Sequence, residues 1–113
     1  MTTLKNVLAL LQGDLLTPAS SLELEFSDVF ASDLMSDVLA FVSPGSLLLT
    51  GLVNSHVVRT ADLADVAAVV FVQGKRPSAE VILEAREKNL PIISTACSMF
   101  EACSRIGSPK SRL

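Results

Sequence analysis

Apolar positions recur along this chain with two different periods. Over residues 4–11, Leu4, Val7, Leu8, Leu10 and Leu11 stand at helical spacing, and Gly13 offers a natural stop. Gly13-Asp14 and Thr17-Pro18 then mark turns. In Leu22-Glu23-Leu24-Glu25-Phe26 apolar and acidic residues alternate, the pattern of a half-exposed strand or extended edge, and Val29-Phe30-Ala31 is a short second strand candidate. Ser32-Asp33 can cap a helix through Leu34, Met35, Val38, Leu39 and Val42, which Ser43-Pro44-Gly45 ends.

Beyond residue 46 the alternation becomes regular. Leu47-Leu48-Leu49 reads as a buried strand. Asn54 or Ser55 can cap a helix whose face is Val57, Val58, Ala61 and Ala64. Ala67 to Val72 is the strongest strand pattern of the chain. Pro77-Ser78 opens a helix with Val81, Ile82 and Ala85 inward and Glu84-Lys88 at i,i+4 outward. Pro91-Ile92-Ile93-Ser94 is the last strand, and Ser98-x-x-Glu101 is a capping box for a helix ending at Gly107. Continuous apolar strands separated by helices of about a dozen residues imply βαβ units around a mostly parallel sheet. The expectation is a three-layer α/β/α sandwich, with the segment 22–31 adding edge or mixed strands. It forms one domain over 1–107, followed by a flexible tail over 108–113.

Composition narrows the possibilities. The 113 residues are 50% hydrophobic and only 19% charged, with a mean hydropathy of +0.50. So few charges suggest that some apolar surface meets a partner, most simply a second copy of the chain. The face Leu34-Met35-Val38-Leu39 is the expected contact. Nine basic against twelve acidic residues give a net charge of −3, with no Trp or Tyr. Nucleic-acid binding, which needs a basic face or aromatic platforms, is therefore not expected. No apolar run reaches the roughly 20 residues of a membrane span, no secretory signal is seen, and two cysteines make no disulfide framework. A cytoplasmic protein is the expectation.

In open α/β sheets, loops and helix N-termini converge at the carboxyl ends of the strands. Those positions here are Ser32-Asp33, Thr50-Gly51 with Asn54-Ser55-His56, Gln73-Gly74-Lys75-Arg76, and Ser94-Thr95. Asp33, Thr50, Gly51, Asn54, His56, Gln73, Gly74 and Thr95 are the candidate ligand-binding residues. Each can also serve simply as a cap or turn former. No phosphate loop, dinucleotide fingerprint, nucleophile elbow or metal-ligand spacing is present, so neither catalytic residues nor a cofactor are expected. His56, the only histidine, reads more readily as a surface residue than as a base. Cys97 reads more readily as an inert thiol than as a nucleophile, and Cys103 as core. Asp33 and Asp37 with Ser36 can hold a cation, but first-turn acids are also favoured by the helix dipole alone. Lys75-Arg76 can meet an anion or be a solvated turn.

The segment Ser32-Asp33-Leu34-Met35-Ser36-Asp37-Val38-Leu39-Ala40 resembles the DRTGG domain family, in which a "DLMSDVL"-type stretch is common. The resemblance continues through Leu48-Leu49-Thr50-Gly51, Ala68 to Gly74, Arg76-Pro77-Ser78, Val81-Ile82, Leu90 to Thr95 and Phe100-Glu101, covering about residues 30–106. In that family the domain occurs in HPr kinase/phosphorylase, some phosphotransacetylases and certain pyrophosphatases. It also forms small stand-alone proteins near iron-only hydrogenase genes, the type this chain looks like. The resemblance implies a usually dimeric α/β/α domain with a regulatory role and no established catalysis. Departures are visible: no Asp-Arg pair follows Thr50-Gly51, Val72-Gln73-Gly74 stands where Thr-Gly-Gly would be, and Asn54-Ser55-His56 stands near the helix start.

The expected function is a non-enzymatic regulatory or ligand-sensing module, homodimeric, taking a small anionic ligand or nucleotide and linked to hydrogenase or phosphotransfer-type metabolism. The alternatives are an adaptor docking on a larger enzyme, or an acyl- or phosphoryl-transfer enzyme using His56 or Cys97.

Overall fold

The computed structural model describes residues 2–18 and 22–107; the expected tail over 108–113 lies outside them. The chain runs through α1 (Leu4–Leu11), β1 (Asp14–Leu15), β2 (Val29–Ala31), α2 (Met35–Phe41), β3 (Leu47–Thr50), α3 (Ser55–Leu63), β4 (Ala68–Phe71), α4 (Ala79–Glu87), β5 (Ile92–Ser94) and α5 (Met99–Ile106). The strands form one sheet in the order β1-β5-β4-β3-β2. Strands β2 to β5 pair in parallel, and β1 lies antiparallel on β5.

The expected three layers form, and the period-2 geometry of strands explains how. Leu47, Leu49, Ala68, Val70, Val72 and Ile93 meet Leu4, Val7 and Leu11 of α1 and Ala102 and Ile106 of α5 on one face of the sheet. Leu48, Val69, Phe71 and Ile92, one residue out of step, meet α2, α3 and α4 on the other. Consecutive strands step in one direction from β2 to β5, so right-handed crossovers place all three intervening helices on one side.

Local chemistry accounts for most helix ends. Ser78 accepts from the amide of Val81, and Ser98 and Glu101 make the expected reciprocal capping box. Three helices end alike. The amide of Gly13 bonds the carbonyl of Leu8, that of Val66 bonds Ala61, and that of Leu90 bonds Ala85. Gln12, Asp65 and Asn89 take the left-handed backbone at the preceding position. The stop after α1 thus falls on Gln12, not Gly13. Gly13 is required for a different reason: a Cβ there would lie 2.7 Å from Cγ2 of Ile93.

Several expectations are corrected. Ser32 and Asp33 do not cap α2, whose first turn is preceded by Leu34 with no side-chain cap; Ser32 instead bonds the amide of Leu34, and Asp33 reaches across to β3. Asn54 occupies the N-cap position of α3 but makes no side-chain cap bond. The segment 22–26 follows the expected alternation only from Glu23 onward: Phe26 is buried, Leu24 half-buried and Glu23 and Glu25 exposed, but Leu22 is exposed as well. It does not join the sheet, however. It runs against the start of α1 through the isolated bridge Thr3–Glu25, with Leu4 and Lys5 amides bonded to the Leu24 and Leu22 carbonyls. The antiparallel edge comes from the unexpected β1 instead. Lys88 pairs with Asp62 of α3 at 3.3 Å rather than with Glu84, an interhelical contact that spacing within α4 cannot reveal. On α2, Met35 and Val38 belong to the core, while Leu34, Leu39 and Phe41 stay exposed, Phe41 at 71%. Among the described residues, no helix is long and apolar enough to cross a membrane.

Candidate functional site

The carboxyl ends of β2 to β5 bring four loops to one rim, and hydrogen bonds divide the rim into two parts. At the β2–β3 end, Asp33 follows β2 and extends its carboxylate over the end of β3. Its Oδ1 accepts from the amide of Gly51 at 2.6 Å and from the hydroxyl of Thr50 at 3.1 Å. The Thr50 oxygen in turn accepts from the amide of Leu52 at 3.2 Å. Lys75, from the loop after β4, crosses to the same place, and its Nζ donates to the Gly51 carbonyl at 3.1 Å. The two peptide units that flank Gly51, just after β3, are therefore held from either side, one through its amide by a carboxylate and the next through its carbonyl by an ammonium. A Cβ on Gly51 would stand 3.4 and 3.5 Å from the two Asp33 oxygens and 3.6 Å from Nζ of Lys75.

The β4–β5 end is built differently. Chain leaving β4 enters α4 on one face of the sheet, whereas chain leaving β5 enters α5 on the other. Divergence of this kind opens the crevice in which doubly wound sheets hold ligands. Here the crevice is stitched shut. The amide of Gln73 donates to the Cys97 carbonyl and that of Gly74 to the Thr95 carbonyl, each at 2.7 Å, and the Ser94 hydroxyl donates to the Lys75 carbonyl at 2.8 Å. Gln73 and Gly74 both have positive φ, 63° and 70°, the φ signs of a type I′ turn, closed by Lys75 N to Val72 O. Gly at the second position is the unstrained choice; Gln73 holds its left-handed backbone because the bond to Cys97 fixes it.

The candidate residues thus fall into three groups. Asp33, Thr50 and Gly51 are in direct contact. Gln73, Gly74 and Thr95 meet through backbone bonds, but the Thr95 hydroxyl is buried and donates to the Leu11 carbonyl at 2.7 Å, away from the rim. Asn54 and His56 are exposed at the start of α3. Lys75 is the member that pattern reading left between two roles; its position just after the strongest strand was the available signal. Its neighbour Arg76 turns outward and pairs with Asp14 of β1.

Other chemistry lies apart from this rim. Cys97 is buried, with Sγ 3.8 Å from the Leu11 carbonyl. It lines a pocket of about 180 Å³ between α1 and α5, with Gln12, Glu101 and Arg105. Burial raises the Cys103 thiol above its ordinary value of 9.0. The Glu101 carboxyl is held below its ordinary 4.5, first by the Ser98 amide it accepts from, then by the Ser98 hydroxyl, with Arg105 adding a smaller pull. Among the described residues, no cluster of three or more His, Cys, Asp or Glu can hold a metal.

The family model described as "DRTGG domain" matches residues 6–108. Among solved structures, the fold is similar to the CBS and DRTGG domains of the regulatory region of Clostridium perfringens pyrophosphatase, complexed with its activator diadenosine tetraphosphate. The TM-score is 0.79 at 21% identity, over 93% of this chain. The chain spans 46% of the length of that structure, and the likeness is one of fold. No curated protein matches it.

Proposed function

Because the chain belongs to the DRTGG domain family, we propose that it is a regulatory module without catalysis, which senses a small ligand at its carboxyl rim and acts as a homodimer. The observation that carries this reading is the convergence of Asp33 and Lys75, from two separate loops, on the amide and the carbonyl of Gly51. Asn54 and His56 at the start of α3 and Gln73 in the loop after β4 stand exposed beside it and complete the rim. The ligand class is a small anion or a nucleotide, and the regulatory role is carried over from the pyrophosphatase region that binds a dinucleotide activator. Residues 1–107 act as one unit, in the cytoplasm, serving hydrogenase-linked or phosphotransfer-type metabolism. A role without catalysis agrees with the placement of the two groups an enzyme would use. His56 stands exposed at the start of α3, and Cys97 is buried on the way into α5, on the opposite face of the sheet.

Dimer contacts come from the α2–α3–α4 layer, where Leu34, Leu39, Phe41, Leu63 and Leu83 are exposed. The same surface favours a second reading, an adaptor that docks on a larger enzyme.

Melting curves by circular dichroism against nucleotides, acyl phosphates, coenzyme A and divalent metals test the sensing role. A ligand at 100 times its Kd stabilises the fold by about 2.7 kcal/mol, a shift of about ten degrees at this size. Gel filtration with light scattering tests the dimer: twice the chain mass supports it, and a clean monomer removes it. A flat ligand panel with co-purification of a larger subunit would favour the adaptor.

A further inference from the structure

We propose that Asp33 and Lys75 form a two-point site for a phosphorylated polyol, the chemistry shared by sugar phosphates and nucleotides. Hydroxyls of the ligand donate to Asp33, and its phosphate accepts from Lys75. The inference rests on the ligand-sensing reading and names the ligand class of that same rim.

The hydrogen-bond inventory leads to this class. At the end of a parallel strand, a loop amide and a threonine hydroxyl are the donors that would ordinarily receive an anion. Here both are already given to Oδ1 of Asp33. A bare anion at Gly51 would have to displace an internal carboxylate or sit against its charge. Oδ2 of the same carboxylate accepts from none of the described residues. An ionised carboxylate offers acceptors only, so the group that suits it is a donor such as a hydroxyl.

Lys75 supplies the complementary half. An ammonium carries three N–H donors; one is committed to the Gly51 carbonyl, and among the described residues no ion pair neutralises the charge. The base of the side chain is fixed by the 72–75 turn and by the Ser94 bond to its carbonyl, which lowers the entropy lost when an anion is held. Oδ2 of Asp33 and Nζ of Lys75 lie 3.5 and 3.6 Å from the same point beside Gly51, yet they do not pair with each other. They are near enough for one small molecule to engage both.

Titration calorimetry of the full chain with ribose 5-phosphate, AMP, inorganic phosphate and ribose tests the proposal. Ribose 5-phosphate is expected to bind at least tenfold more tightly than phosphate or ribose alone. Asp33→Asn, which keeps an acceptor for the Gly51 amide, should bring it down to the level of phosphate, and Lys75→Met to the level of ribose. Circular dichroism confirms that each variant is folded. AMP binding more tightly than ribose 5-phosphate identifies the nucleotide as the source; the reverse order identifies the sugar phosphate. Phosphate matching ribose 5-phosphate, or either variant binding like the parent chain, overturns the assignment. If another ligand from the wider panel binds and is lost on substituting Asn54 or Gln73, this site is wrong and the sensing role stands. If nothing binds, both fall.

Discussion

Oδ1 of Asp33 lies 2.6 Å from the amide nitrogen of Gly51, across a separation of 18 residues. The bond joins the loop after β2 to the loop after β3, and its acceptor is charged, which makes it stronger than a neutral hydrogen bond. Asp33 is exposed, but the Gly51 residue it serves is buried, so its amide has no easy access to water if the carboxylate is removed.

Asp33→Ala is therefore expected to destabilise the fold by about 1–3 kcal/mol, the cost of leaving a buried donor unpaired. Asp33→Asn should cost less, because its amide oxygen can still accept. Urea unfolding followed by circular dichroism measures both, and equal losses for the two variants would contradict the argument.

The capping box of α5 predicts an acid response. The Glu101 carboxyl is held below its ordinary value by the Ser98 amide and hydroxyl, so the charged form is favoured in the folded state. A group with a depressed folded pKa contributes stability above its unfolded value, and that stability is lost as pH falls through the folded value. Thermal midpoints should fall below about pH 4.5, and Glu101→Gln should flatten that part of the profile. Ser98→Ala should cost about 1 kcal/mol at pH 7.

Two glycines should answer alanine differently. Gly45 has a φ of +83°, and a Cβ there would meet Ser27 Oγ at 3.1 Å. Gly51 has ordinary backbone and its nearest neighbour would be at 3.4 Å. Gly45→Ala should cost about 1 kcal/mol or more through left-handed strain, and Gly51→Ala clearly less. Thermal midpoints of the two variants, compared side by side, decide the order.

Ser46 directly precedes β3, with its hydroxyl buried and without a partner among the described residues. Removing an unpaired buried hydroxyl relieves a desolvation cost, so Ser46→Ala is expected to stabilise the fold by about 1 kcal/mol. A lower unfolding midpoint for this variant would show that the hydroxyl is satisfied.

How much of this was visible in the sequence depends on the range of the interactions involved. The runs 47–49, 67–72 and 91–94 announce buried parallel strands because burial on both faces demands continuous apolar side chains. Ser78 and the Ser98–Glu101 pair announce helix starts because a cap and its amide are three residues apart. The list of rim positions was legible for the same reason, since each one directly follows a strand.

Tertiary structure decided what those residues do. Asp33 had a local role available as a cap and instead serves the Gly51 amide, and Lys75 reaches 24 residues back to the carbonyl of the same residue. The two residues of β1 carry no periodicity and become a strand because the edge of β5 offers unpaired groups. Thr95 faces Leu11 across 84 residues rather than the rim. Periodicity and capping act within a few residues and so can be read from order alone. Which of several satisfactory partners a polar side chain takes depends on distances that exist only after the sheet has closed.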